Sequence, residues 1–495
     1  MSDATKNGLR LLAVALLLGI AADVLRVWVP GRLDLALWIA ALLLSVVALM
    51  RAGLGAPPPD AAWLAGAAVI LIPGLIWRDS EAMLALNFGA LLGLAALAAH
   101  GSGRLPLRTA GVTDYVLGGL ETIGTVAAGP APVVLSDVRW KELPIAAPAR
   151  RAVGISLGLL GAAPLVLVFG ALLGEADPLF GRAIQRIWSL DLEPVLEHAL
   201  PIGMSAWVAA GLTRTIAVRD GWLRRPPRTV DTIGFVSIGT AVAAVAILLL
   251  VFILFQARTL FLGAERFQAV TGLTVAEYAR RGFFQLVSVA ALSLPLLLLA
   301  EWLLERRDEA LRPFRVLAAV MLILLLLILA SALHRMRLYT AHFGLTELRL
   351  YTTAFMAWLA VVFVWFAATV LRGRRSRFAP GALVAAFGTL VLLNVANPDA
   401  VIARVNLERA AVKGDLDTAY LARLSADAVP TLLTGMRRLD PANRCSLTLA
   451  LRNRWVDSSG VAIRTDREWT WGRIRARESW RRAPPATAGC AVAAE

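Results

Sequence analysis

The sequence predicts an all-α fold: a polytopic transmembrane helix bundle of about 11 spans with a small, mainly helical C-terminal domain outside the membrane. Three observations lead there. Of 495 residues, 58% are hydrophobic and 17% charged, and the mean hydropathy of +0.68 is far above what a water-soluble surface tolerates. Runs of about 17 to 22 nearly charge-free residues, enough to cross a hydrocarbon layer of ~30 Å, recur from Leu11 to Val395. The last hundred residues break that pattern, with 16 Lys and Arg, 11 Asp and Glu, and both cysteines of the chain. These features exclude a soluble dehydrogenase, a DNA-binding factor and a disordered scaffold.

The first four spans fall at residues 9–29, 33–50, 61–77 and 83–100, giving an N-terminal region over residues 1–110. Residues 1–29 resemble a secretory signal, but the apolar helix continues through Asp23 to Val29 and further spans follow at once, so an uncleaved signal anchor is expected. Asp23 and Arg26 stand at i and i+3, suited to a local ion pair. Residues 111–152 form a cytoplasmic or interfacial connection, within which residues 115–135 are apolar enough for an interfacial or re-entrant helix.

Seven more spans make up residues 153–395, at 153–173, 195–216, 234–255, 282–304, 314–333, 350–371 and 380–395. Thr274, three residues before Glu277, forms a capping box with Leu273 and Tyr278 as its staple, so a helix is expected to begin near Val275. Gly344 closes the helix bearing His334, Arg335 and Arg337, and Thr346 caps the next. Within the domain at residues 396–495, helices are expected at 401–412, 417–424 and 426–439, the last opened by Ser425. The tail from Trp469 to Arg482 mixes Trp469, Trp471 and Trp480 with five Arg. It suits either a helix lying on anionic lipid or one docking its tryptophans on the domain.

Cations set the orientation, because juxtamembrane Lys and Arg resist translocation. With the N-terminus in the cytoplasm, that tail and the even connections hold 22 Lys and Arg up to residue 395, against 12 in the odd ones; the acidic residues split 12 and 12. After eleven spans the C-terminal domain is extracytoplasmic. A disulfide between Cys445 and Cys490 is then permitted and favoured over two unrelated thiols. The net charge of +15 comes from 47 Arg and 3 Lys. It is read as topology together with the codon bias of an Ala-, Leu-, Gly- and Arg-rich chain, so no nucleic-acid partner is expected.

The five later spans carry no Asp, Glu, Lys or Arg at their centres, and no internal repeat is visible, which disfavours a transporter. Phosphate-binding and dinucleotide-binding glycine loops, paired-Cys sites and His-Glu-x-x-His are absent, and the four His are scattered, so neither cofactor nor metal is expected.

At Glu277-Tyr278-Ala279-Arg280-Arg281-Gly282-Phe283-Phe284 and at Arg337-Leu338-Tyr339 through Phe343-Gly344-Leu345-Thr346-Glu347-Leu348-Arg349, the chain resembles a family of bacterial polytopic inner-membrane proteins catalogued as a domain of unknown function (4173/4153-like). The likeness extends to Ala176-Asp177-Pro178-Leu179-Phe180, to Asn397-Pro398-Asp399 with Asn406, to Asp417-Thr418-Ala419-Tyr420-Leu421, and to Leu424-Ser425-Ala426-Asp427-Ala428-Val429-Pro430. It covers most of residues 150–440 and implies a fold and a location but no catalytic residue. By parity, all these motifs face the extracytoplasmic side. Asp177, Tyr278, Arg280, Arg281, Arg337, Tyr339, Glu347 and Arg349 are therefore the candidate outer-face polar site. Its guanidinium groups suit an anion such as a lipid phosphate, oriented by Asp177 and Glu347; salt bridges between loops are the competing reading. The expected partners are the bilayer, anionic lipid or another envelope protein. The expected role is a non-enzymatic sensing, scaffolding or assembly component of the envelope. The alternatives are a membrane-embedded enzyme acting on a lipid-linked or anionic lipid substrate and, disfavoured, a transporter.

Overall fold

The computed structural model describes residues 1–28, 31–54, 60–101, 111–142, 193–217, 235–261, 283–304, 308–456, 469–482 and 490. Among them every regular element is helical, as the sequence predicts. In chain order the long helices are α1 (Asp3–Val24), α2 (Arg32–Arg51), α3 (Ala61–Trp77), α4 (Glu81–Gly101), α5 (Val112–Ala128), α6 (Glu193–Ala217), α7 (Phe235–Phe261), α8 (Phe283–Leu303), α9 (Asp308–Phe343), α10 (Glu347–Thr369) and α11 (Phe378–Ala396). Eight of them, α1, α2, α4 and α7 to α11, are long and apolar enough to cross a membrane. Two of the other expected spans fall short of that: α3 has only 17 residues, and α6 is punctuated by Pro201, Ser205, Thr213 and Arg214. The span at 153–173 and the capping box at Thr274 lie outside the described residues.

The chain forms two compact units. The first comprises Met1–Ala61, Ala95–Arg104 and Gly118–Gly221. Its main contact runs along α1 and α6, which approach closely because Gly19 has no side chain: a Cβ there would lie 2.5 Å from the Ile202 carbonyl oxygen and 2.8 Å from Ala206 Cβ. Trp28 Nε1 donates to Ser205 Oγ at 2.9 Å, and His198 Nδ1 lies 2.9 Å from Asp23 Oδ2. Asp23 is thus paired across helices to His198 rather than locally to Arg26. The helix stops at Val24 and Arg26 takes a left-handed conformation (φ 52°), which carries its side chain out of i,i+3 register. At the start of α1, Ser2 and Thr5 converge on Glu142: the Ser2 N–H donates to Glu142 Oε2 at 2.6 Å and Thr5 Oγ1 at 3.0 Å. Those donors, the Ser2 N–H foremost, hold the Glu142 carboxyl down to about 2. The stretch at residues 115–135 is helical as expected, ending in a single π-helical turn, Val133–Asp137, whose Asp137 forks onto Arg214 at 2.8 and 3.2 Å.

The second unit comprises Ala62–Leu94, Leu105–Leu117 and Trp222–Glu495. Its apolar core is drawn from α7 to α10, with Phe314, Phe363 and Phe366 buried. α9 has 36 residues, about 54 Å at 1.5 Å per residue, so it runs well past a ~30 Å hydrocarbon layer. It ends at Gly344, whose φ of +77° reverses the chain into α10. α11 ends at Asn397, whose left-handed backbone (φ 57°) stops the span while its side chain accepts the Ala400 N–H at 3.3 Å and opens α12 (Pro398–Lys413). A single residue therefore joins the last span to the C-terminal helices.

Those helices are α12, α13 (Thr418–Arg423), α14 (Val429–Gly435), α15 (Pro441–Trp455) and α16 (Trp471–Arg482). They close on a separate core that includes Ile402, Leu432, Leu447, Leu451 and Trp480. Ala476 and Trp480 are buried there, so the tail docks on the domain through one of its three tryptophans, while Trp471 stays exposed. The helix expected at 426–439 is instead a 3₁₀ turn (Ala426–Ala428), α14 and a second 3₁₀ turn (Met436–Arg438). Ser425 does cap it, but Pro430 lacks the N–H a continuous helix needs, and Gly435 packs on Leu407 Cδ1 where a Cβ would sit at 2.5 Å. Cys445 and Cys490 form a disulfide.

Gly19→Val is expected to destabilise the first unit by about 1–3 kcal/mol, because the extra methyls meet a backbone carbonyl that cannot step aside. Thermal melting of the detergent-solubilised protein checks this; an unchanged midpoint would mean that α1 and α6 do not pack this closely.

Candidate functional site: a buried acid and arginine cluster

The connection between α3 and α4 is only three residues long, Arg78-Asp79-Ser80, and all three are buried at 5%, 6% and 2% exposure. Charges so placed must find partners, since an unpaired buried charge costs several kcal/mol (roughly 3–5). They find them in the C-terminal helices. Arg78 donates through Nε to the Asn394 carbonyl at 2.7 Å, through Nη2 to the Val395 carbonyl at 3.4 Å, and through Nη1 to Asp427 Oδ1 at 3.4 Å. It thereby caps the C-terminal end of α11 with a positive charge. Asp79 reciprocates. Its N–H donates to Asp427 Oδ2, its Oδ2 accepts the Ala426 N–H at 3.1 Å, and its Oδ1 accepts from Arg473 Nε at 2.7 Å and Thr470 Oγ1 at 3.2 Å. Gly472 admits this approach, since a Cβ there would lie 2.5 Å from Asp427 Oδ1.

Asp399, the first-turn acid of α12, lies beside this network at 1% exposure. Its Oδ2 accepts from the Ser425 N–H at 3.2 Å and from the Ser425 hydroxyl. Its Oδ1 is buried without a hydrogen-bond partner among the described residues, and the charge of Glu347 acts on the same carboxyl. Burial first, then the charges of Glu347 and Asp79, push Asp399 up to about 6, against the Ser425 hydrogen bonds that favour its ionised form. Asp427 is likewise pushed up to about 6 by burial, opposed by the Asp79 N–H and Arg78. Burial also pulls the Arg78 guanidinium below its usual range, with Asp427 as the main opposing influence. One layer deeper, Asn87 on α4 and Asn394 on α11 exchange amide hydrogen bonds at 3.0 and 3.2 Å.

Of the candidate outer-face residues, Tyr339, Glu347 and Arg349 meet around the turn at Gly344. Arg349 stacks on Tyr339 with its guanidinium carbon 4.0 Å from the ring centroid and donates to the Gly344 carbonyl. The Glu347 N–H donates to Tyr420 Oη at 2.9 Å, a bond Thr346 does not supply although it stands at the cap position. Burial pushes the Tyr420 phenol up to about 12, so it remains protonated. Asn406 holds the same turn, accepting the Leu345 N–H at 2.9 Å and donating to the Leu345 carbonyl at 2.7 Å. Arg337 stands apart, exposed at the mouth of a groove of about 720 Å³ between α9 and α10. Asp177, Tyr278, Arg280 and Arg281 lie outside the described residues.

The motifs carrying the family resemblance contain Asp399, Ser425 and Asp427, but Arg78, Asp79, Thr470 and Arg473 escaped the sequence reading. The available signal was the pair Arg78-Asp79 in a five-residue gap between apolar runs, too short to hold both charges away from neighbouring structure. Likewise Asp440-Pro441 with Asn443 was an unread cap for α15, and the Asn443 N–H donates to Asp440 Oδ1 at 3.0 Å.

Apolar helices of spanning length, joined to a compact helical domain through a buried ionic cluster, define a multi-pass helical membrane protein. The chain belongs to the family described as domain of unknown function (DUF4153), which matches residues 39–435. That match reaches farther toward the N-terminus than the motifs quoted above and takes in Arg78-Asp79-Ser80. No curated protein and no solved structure matches the chain.

Arg78→Gln is expected to cost about 3 kcal/mol or more, because it leaves the buried Asp427 without its countercharge; adding Asp427→Asn should recover part of that loss. Chemical denaturation of the two variants tests the pairing, and equal destabilisation by single and double variant would count against it. The raised acids set a pH dependence. Between the ordinary carboxylate value of 3.8 and about 6 the folded state holds protons that the unfolded state releases, so stability falls as pH rises through that window and is level above it. The melting temperature should therefore be higher at pH 5 than at pH 7. Asp399→Asn should raise stability at pH 7 by on the order of 2 kcal/mol and make the profile shallower, leaving the part due to Asp427.

Proposed function

We propose that this is a multi-pass protein of the bacterial inner membrane, its N-terminus cytoplasmic and its C-terminal domain extracytoplasmic. Its role is that of a non-enzymatic envelope component in sensing, scaffolding or assembly, with a polar site on its outer face. The observation that carries the reading is the Cys445–Cys490 disulfide, since such bonds persist in oxidising compartments and are reduced in the cytosol. The cation bias of 22 against 12 supports the same orientation. So does the parity of contacts within each unit. Ser2 and Thr5 at the N-terminus reach Glu142, four expected spans later, while the connections at residues 78–80 and 344–346, both odd, meet the C-terminal helices.

On this reading Arg337, Tyr339, Glu347 and Arg349 belong to the outer face, with Asp177, Tyr278, Arg280 and Arg281 as its further members. The clasp around Asp79 and Asp427 suits a scaffold, because it holds the exported domain in one position on the ends of the spans. The partners are the bilayer together with anionic lipid or another envelope protein, and no nucleic acid. A second reading, a membrane-embedded enzyme acting on a lipid-linked or anionic lipid substrate, is favoured by one feature, the groove beside Arg337.

Alkaline phosphatase and fluorescent-protein fusions after Glu495 test the orientation. Active phosphatase with a dark fluorescent protein is the expected result. The reverse pattern would overturn both the topology and the outer-face site.

A further inference from the structure

We propose that the groove between α9 and α10 is a binding site for one anionic phospholipid, its acyl chain along the helices and its phosphate at Arg337. The walls are apolar over their lower part, from Leu326, Leu329 and Leu333 on α9 to Met356, Ala357 and Ala360 on α10. Small residues at 357 and 360 keep the cleft open. From Leu326 to Arg337 the helix rises by about 17 Å at 1.5 Å per residue, close to the ~15 Å depth of one leaflet's hydrocarbon. Arg337 stands about one turn beyond Leu333, where the expected span ends, so its guanidinium reaches headgroup level.

Charge chooses the kind of lipid. Arg337 and Arg409 line the groove, and among the described residues no Asp or Glu does. Arg409 is engaged: it donates to the His342 and Asp415 carbonyls at 3.1 Å each, and its guanidinium lies 3.8 Å from the Asp415 carboxylate. Arg337 is exposed and has no hydrogen-bond or ion-pair partner among the described residues. A phosphodiester there accepts a forked charge-assisted pair from Arg337, with Thr340 as a neighbouring hydroxyl donor. A zwitterionic lipid offers the same phosphate with its charge offset by the choline, and a partner helix would fill the apolar length while leaving Arg337 without an anion.

The site deepens the outer-face reading above, and only its assignment to the outer leaflet rests on that reading. Lipid retention by the detergent-purified full chain, counted by native mass spectrometry, tests it independently of orientation. The probes are phosphatidylglycerol, phosphatidylcholine and water-soluble glycerol 3-phosphate. Phosphatidylglycerol should be retained about tenfold better than phosphatidylcholine, and Arg337→Gln should remove that preference, as expected for one charge-assisted hydrogen-bonded contact. Ala357→Trp, filling the cleft, should reduce retention of both lipids while thermal melting and helicity stay as in the unmodified chain. If that variant melts early, Ala360→Leu, a smaller filler on the next turn, replaces it. Equal retention of the two lipids, unchanged preference in Arg337→Gln, or competition by glycerol 3-phosphate as strong as that by phosphatidylglycerol would overturn the proposal. A cytoplasmic C-terminus in the fusion experiment would move the site to the inner leaflet without touching the retention result.

Discussion

Two aspartates and an arginine, Asp79, Asp427 and Arg78, are buried where the short α3–α4 connection meets the C-terminal helices, with Arg473 half-buried beside them, and the placement of much else follows from having to satisfy them. Removing three charges from water is tolerable only if every one is paired and its remaining donors and acceptors are filled. Here each group completes another: Arg78 faces Asp427, the Asp79 N–H binds the same carboxylate, and the Asp79 side chain takes Arg473 and the Ala426 N–H. The register of α16, the 3₁₀ turn at Ala426 and the end of α11 are all specified at once, because a shift in any of them leaves a charge alone. Asn87 and Asn394 continue the polar contact one layer inward, after which the packing is apolar.

The ends of spans do the rest. Asn397 terminates α11 and starts α12 with no intervening loop, and the Gly344 turn is gripped by Asn406, Tyr420 and Arg349. The C-terminal domain is therefore seated on helix ends, where free carbonyls and N–H groups need partners anyway. Lys413 and Arg409 donate to the last carbonyls of α9 for the same reason. This sorts the arginines by availability. Arg78, Arg349, Arg409 and Arg473 are occupied within the fold, while Arg337 lines the groove between α9 and α10, exposed and without a partner among the described residues. A cation left over in so thoroughly paired a region is better suited to an external anion than to stability.

Much of this was legible in the chain. Hydrophobic runs located the spans because bilayer thickness sets a length scale that any sequence must meet. Local chemistry located Gly344 as a helix stop and Ser425 as a cap, because a cap is decided within four residues, whereas Thr346 stands at its cap position without a side-chain bond. The two cysteines stood alone in the C-terminal domain and are bonded. Where local signals were mixed, reading failed: the helix expected at 426–439 breaks at Pro430 and Gly435, and Asp23 turns to His198 instead of Arg26.

The site divides along the same line. Sequence by itself determined the class, the rough position of the long apolar helices, the charge bias and the list of polar motifs at their ends, since each depends on composition within a window of a few turns. Only the tertiary structure decided that Arg78 and Asp79 close on Asp427 and Arg473, more than three hundred residues away, and that Asp399 lies buried against Glu347. Pairing of charges depends on distance in space, and a chain's own order carries no measure of that until its apolar faces have packed.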